Sequence, residues 1–285
     1  AYEMLRSLVG SEMCIRDSSS PSNFLAGHIS EVSVLDTILT ADEIYDLYRA
    51  GLAFVTNIES ILVLENSYFE KVIALNPIAY WRLSDSGSIA KDVMGSYDGT
   101  YINSPTQETE SLVNYGDNST TFNGTSQYVN IDSLASKTET TEDNTICFWF
   151  KTTKTSDAMF GFSTNSADGN GILVGIHSDG TFRYYYELGG VTLGSDYRDG
   201  EIHFFVVTSN GDNSGGTLYV DGYSVGTHSF DAIDWTIPNR ASLAQEYDTD
   251  ATGNFLEGPL DEVAVFDTVL SASDILDLSL IHISE

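Results

Sequence analysis

GTLYVDGYSVGT at residues 216–227 reads as two short strands joined by Asp221-Gly222. That pair suits a two-residue type I′ turn, in which both central residues take positive φ. A hairpin this tight makes the pairing antiparallel, and the neighbouring segments have the same texture. IHFFVV at 202–207 and ICFWF at 146–150 are apolar at every position or nearly so. Strands of that kind are covered on both faces and therefore lie centrally in a sheet. A second turn, His177-Ser178-Asp179-Gly180, precedes TFRYYYE at 181–187.

Outward from this hairpin, short apolar runs cut by Gly, Asn, Asp and Ser predict strands over 78–84, 97–102, 119–123, 127–131, 144–152, 158–163, 172–177, 181–187, 202–209, 216–221, 223–228, 241–246 and 260–267. So many short strands exceed a single twisted sheet and imply two packed ones, an all-β antiparallel sandwich. Burying one Phe or Trp is worth about 1.5–3 kcal/mol, so the aromatic runs set the core, with Trp81 and Trp149 inside it. Ahead of the strands, Ile61, Leu64, Tyr68, Val72 and Leu75 keep helical spacing until Asn76-Pro77 ends it.

Forty-two acidic residues against 12 Lys+Arg give a formal charge of -30. Such a surface repels phosphate backbones and anionic lipids, which excludes nucleic acid as a partner and argues against membrane insertion. No apolar run reaches the roughly 18 residues that span a bilayer. Two cysteines, Cys14 and Cys147, cannot form a disulfide scaffold, and Cys147 reads as a small buried hydrophobe.

The chain also repeats itself. FLAGHISEVSVLDTILTADEIYDL at 24–47 recurs as FLEGPLDEVAVFDTVLSASDILDL at 255–278. Each copy reads as a strand, a turn and a helix opened by a capping box, Thr40 with Glu43 and Ser271 with Asp274. A period of roughly 230 residues suits tandem globular domains rather than a solenoid. Residues 22–52 are thus expected to be the tail of an upstream domain, 53–76 a helical linker, and 77–278 a complete domain. The strand at 28–35, without its own sheet, is expected to pack loosely or to add to a sheet edge. Residues 1–21 and 279–285 look like translated sequencing-adapter read-through at the ends of a metagenomic reading frame and are set aside.

Six blocks carry a family resemblance: ALNPIAYWRLSDS at 74–86, DVMGSYDGTY at 92–101, STTFNGTSQYVNI at 119–131, NTICFWFKT at 144–152, LYVDG at 218–222 and GPLDEVAVFDTVLSASDI at 258–275. In order and spacing they resemble the laminin-G-like, concanavalin A-like lectin/glucanase family. The resemblance implies a jelly-roll β-sandwich with a short C-terminal helix. It implies a structural calcium that ties the final strand to an early loop, with Asp92, Asp98 and Asp261 at the positions that resemble its ligands. The upstream copy has Ser30 in place of Asp261.

For ligand binding, aromatics beside polar groups suit a pyranose, which has an apolar face and a rim of hydroxyls. The candidates are Arg183, Tyr184, Tyr186, Trp235 and Tyr247. Asp248 to Gly253 reads as an acidic surface loop rather than an EF-hand, because the later ligands are missing. Asn118 and Asn123 stand in glycosylation sequons. The compact Glu-x-Asp-x-Glu motif of laminarinase-like hydrolases is absent, and His177, His203 and His228 lie on separate segments. No catalytic residue is therefore assigned.

The expectation is a non-catalytic, extracellular or cell-surface module that binds a glycan or a surface protein, beside an upstream domain of the same type. The alternatives are a structural spacer or virion-associated decoration domain, and an accessory module of a secreted polysaccharide-degrading enzyme.

Overall fold

The computed structural model describes residues 68–113, 117–136, 143–154, 157–163, 171–186, 189–230, 239–248 and 251–280, all within the compact unit Asn66–Glu285. The upstream tail, its strand at 28–35, the first part of the linker, Trp235 and the last five residues lie outside the described residues.

Two eight-stranded antiparallel sheets face each other. The first runs in the order β14 (Tyr223–His228), β13 (Gly216–Val220), β12 (His203–Ser209), β7 (Asn144–Phe150), β18 (Glu257–Phe266), β5 (Ser119–Asn123) and β4 (Thr106–Thr109), with β1 (Ala79–Trp81) also paired to β18. The second runs β11 (Gly189–Leu193), β10 (Phe182–Tyr186), β9 (Gly171–Ile176), β8 (Ala158–Ser163), β15 (Arg240–Leu243), β6 (Tyr128–Asn130), β3 (Gly99–Ile102) and β2 (Ile89–Ala90). A small hairpin, β16 (Glu246–Asp248) with β17 (Ala251–Gly253), forms a third pair. The expected jelly-roll sandwich is present, and every predicted strand has a counterpart.

The short or polar strands β2, β4, β11, β16 and β17 were not anticipated. Thr-Gln-Glu-Thr in β4, for example, has no buried position, so no apolar alternation marks it. At the hairpin that suggested the fold, Asp221 and Gly222 have φ of 52° and 84°, as the turn type requires.

Period-two alternation explains why the first sheet needs cover on both sides. Leu218, Val207, Ile146, Val265 and Ala79 are cross-strand neighbours in one row and point between the sheets. Tyr219, Val206, Cys147, Ala264 and Tyr80 form the adjacent row and point away from the second sheet. That outer face is roofed by α1 (Tyr68–Ala74), which buries Tyr68 and Val72, and by α2 (Ala272–Ser279), which buries Ile275 and Leu278. Ser271 and Asp274 make the predicted capping box at the start of α2. Cys147 is buried and unpaired in this second core. Trp81 lies between the sheets and Trp149 under the helices, both buried.

A bulge in β18 makes this two-faced burial possible. Its pairing with β7 shifts between Asp261 and Ala264, and Glu262 takes a φ of 52°. The extra residue lets Leu260, Val263 and Val265 all face inward while Asp261, opposite Trp149, faces outward.

Candidate functional site

The helices cover one sheet; the outer face of the second sheet is buried at its middle, at Leu173, Gly161 and Ser242, and exposed at its β11 edge. One row crosses all eight of its strands: Gly190, Tyr185, Leu173, Gly161, Ser242, Asn130, Thr100 and Ile89. The adjacent row, Val191, Tyr184, Val174, Phe160, Leu243, Val129 and Tyr101, points into the core.

The β16–β17 hairpin lies on this face at its middle. A Cβ at Gly161 would meet the Gln245 carbonyl oxygen at 2.9 Å, so only glycine lets β16 come this close. The Ser242 hydroxyl donates to the same carbonyl at 2.9 Å.

On one side of the hairpin stands a shelf built by β9, β10 and β11. Tyr185 lies against Gly190, where an added Cβ would come within 2.7 Å of the ring. The Arg183 guanidinium sits 5.2 Å from the centre of that ring. Arg183 and Tyr185 are half-buried, and their neighbours Gly190 and Thr192 are exposed. Of the four described arginines, Arg82, Arg198 and Arg240 each pair with a carboxylate. Among the described residues, Arg183 has no such ion pair.

On the other side, the Tyr247 ring meets Tyr128 edge-on at 6.2 Å and carries Arg240 4.2 Å above it. Phe255 packs against Tyr128 at 6.3 Å. Tyr247 is only 6% exposed, and burial raises its phenol pKa above the usual range.

The candidate ligand residues therefore separate. Arg183 is on the shelf, half-buried, and Tyr247 is buried as part of the hairpin. Tyr184 is a correction: it is fully buried between the sheets against His228 at 4.7 Å, so no face of its ring can meet a ligand. Tyr186 ends β10, its side chain lying outside the described part, as does all of Trp235. Tyr185, which sequence reasoning missed, is the aromatic that shares Arg183's face. Strict alternation from the buried Phe182 would have found it.

The three carboxylates expected to hold calcium do not converge. Asp92 accepts four backbone N–H groups at 2.9–3.0 Å, from Tyr80, Met94, Ser96 and Tyr97. Those bonds use its lone pairs to shape its own loop. Asp98 pairs with Lys91 at 2.6 Å. Asp261 is turned to the outer face of the first sheet, where it accepts from the Leu112 N–H at 2.8 Å and the Ser111 hydroxyl at 3.0 Å. Among the described residues no three His, Cys, Asp or Glu side chains gather as a metal site. The three expected ligands thus form no common site among the described residues.

The histidines lie apart. His228 is buried; burial lowers its pKa, and it stays neutral, its Nε2 donating to the Thr208 carbonyl at 2.8 Å. His177 closes its turn on Asp179 at 3.0 Å. His203 lies between Asp221, 2.9 Å from Nδ1, and Asp199, 3.2 Å from Nε2. Burial opposes its charged form, but the hydrogen bonds and charges of the two carboxylates outweigh it and raise the pKa.

A raised folded-state pKa means that this bridge contributes fully below the unfolded histidine value, about 6.5, and is lost as pH rises through the folded value. Wild-type stability attributable to His203 should thus fall from pH 6 towards pH 8. In urea titrations His203→Gln should flatten that decline; an equal slope in both proteins would refute the bridge.

Among the described residues no helix is long and apolar enough to cross a membrane. No curated protein matches the chain in sequence. Among solved structures, a mutant Trypanosoma rangeli sialidase with trans-sialidase activity aligns with a TM-score of 0.55 at 14% identity, over 73% of this chain and 33% of that one. Domain 4 of AbnA, an extracellular arabinanase from Geobacillus stearothermophilus solved with arabinotriose, aligns at 0.50 and 12% identity, over 71% of this chain and 98% of the domain. The carbohydrate-binding module of a Ruminococcus gnavus sialidase, bound to sialyllactose, scores 0.49 at 14% identity over 56% of this chain and 96% of the module. The first two of these likenesses show the fold. The laminin-G family model of concanavalin A-like lectins and glucanases matches residues 123–276, more than half of the sequence, and the chain belongs to the concanavalin A-like lectin/glucanases superfamily.

Proposed function

We propose that the chain is a non-catalytic carbohydrate-binding module of an extracellular or surface protein, and that its glycan lies on the shelf formed by Tyr185 and Arg183. The observation that carries this reading is the Tyr185 ring laid along Gly190 beside an arginine with no carboxylate partner among the described residues. A ring lying along a sheet offers the apolar surface that a pyranose face needs, and a guanidinium binds the rim. In a chain of net charge -30, an arginine without a carboxylate partner among the described residues favours a sugar with a single acidic group over a polyanion, which the overall field repels. The carbohydrate-binding domains among the structural neighbours support the reading. The buried carboxylates Asp92, Asp261 and Glu262 are hydrogen-bonded within the frame of the first sheet and its loops.

The test is a glycan array followed by titration calorimetry on the best ligand. Aromatic anchors and arginines dominate binding energies, so Tyr185→Ala should weaken affinity roughly tenfold or more. Its melting temperature should stay near that of the wild type. Arg183→Gln should cost acidic glycans more than their neutral counterparts. Wild-type affinity in both variants would move the site elsewhere, silence across the array would leave a structural spacer, and turnover of any polysaccharide would overturn the non-catalytic reading.

A further inference from the structure

A side-chain cation joins the start of the last strand to the turn between β5 and β6, away from the three carboxylates discussed above. Lys154 lies in the connection from β7 to β8. Its Nζ donates to the Gly124 carbonyl at 2.6 Å, in the turn between β5 and β6, and to the Phe255 carbonyl at 2.8 Å, just ahead of β18. The Asp157 carboxylate stands 3.7 Å away. Two carbonyls and a carboxylate are the donors that a hard cation takes. An ammonium is a compact cation with three N–H donors, and it satisfies the same oxygens.

The cage is built rather than incidental. Asp157 is buried, and its second oxygen accepts from the Thr152 hydroxyl at 2.8 Å and the Glu257 N–H at 3.3 Å. The Thr152 hydroxyl also accepts from the Lys154 N–H at 3.1 Å. The Lys154 side chain is 30% exposed, so it reaches into the cage from the rim. Three chain segments meet on one nitrogen. One of them carries Phe255, whose ring packs on Tyr128 beside the hairpin.

We propose that Lys154 is the resident cation of this oxygen cage, that the fold therefore needs no divalent ion, and that removing the ammonium leaves a site that takes calcium. The test is thermal melting of the whole chain. The wild type should melt at the same temperature in chelator and in millimolar calcium, because its cage is already filled. Lys154→Ala should melt roughly 5 °C lower in chelator, as charge-assisted bonds to buried acceptors are lost. Millimolar calcium should restore at least half of that shift, and methylammonium should restore part of it.

A wild-type melt that falls in chelator would show a needed metal and overturn the proposal, whether or not the variant folds. A Lys154→Ala melt equal to that of the wild type, or lowered beyond rescue by either cation, would also overturn it. Glycan binding is unaffected by these outcomes in the wild type, so the cage and the Tyr185 shelf fail separately.

Discussion

Arg82→Ala is expected to lower the stability of the chain by about 3–5 kcal/mol in denaturant unfolding, the range for removing one partner of a buried ion pair. Glu262 is fully buried at the β18 bulge. Arg82 reaches it with Nε at 3.2 Å and Nη2 at 3.0 Å, and the Tyr80 hydroxyl donates to its other oxygen. The same guanidinium holds Asp117 at 2.8 Å and rests over Phe69 of α1 at 5.1 Å. Without Arg82, burial and the charge of Asp117 leave Glu262 to take up a proton or to open β1 from β18. The double variant Arg82→Met with Glu262→Leu should recover most of the loss, because an apolar pair of similar volume removes both charges. A loss below about 1 kcal/mol in the single variant, judged against that range, would show that Glu262 does not depend on Arg82.

Trp149→Ala should cost a comparable amount, about 3–5 kcal/mol, as measured for large aromatic truncations in cores. Trp149 stacks on Phe204 at 4.7 Å and meets Tyr68 of α1 edge-on at 6.0 Å. The cavity would open on the helix-covered face of the first sheet, leaving the layer between the sheets intact. Amide exchange should therefore accelerate in α1 before it does in β8 or β9. Uniform loosening of both sheets would contradict the two-core arrangement.

Much of this architecture was legible from residue order. ICFWF at 146–150 is apolar throughout, and only a strand covered on both faces tolerates that. The Asp221-Gly222 turn and the Ser271–Asp274 capping box are local devices, and both appear as read. The site was less legible. In FRYYY at 182–186 both alternating sets contain tyrosine, so composition could not say which set faces outward.

The polar ties lay further out of reach. The family resemblance implied Asp92 as a metal ligand, whereas its oxygens are spent on four amides of its surroundings. Lys154 carries no local signature of its role. Its partners lie 30 and 101 residues away in the chain, beyond any local pattern.

Taken alone, the order of residues determined the apolar strands, the tight hairpin, the two-layer sandwich and its family, because alternation and turn chemistry act over a few residues. Tertiary structure decided which tyrosine meets solvent, where β18 bulges, and which cation closes the oxygen cage. Those outcomes depend on groups brought within hydrogen-bonding distance only after the two sheets have packed.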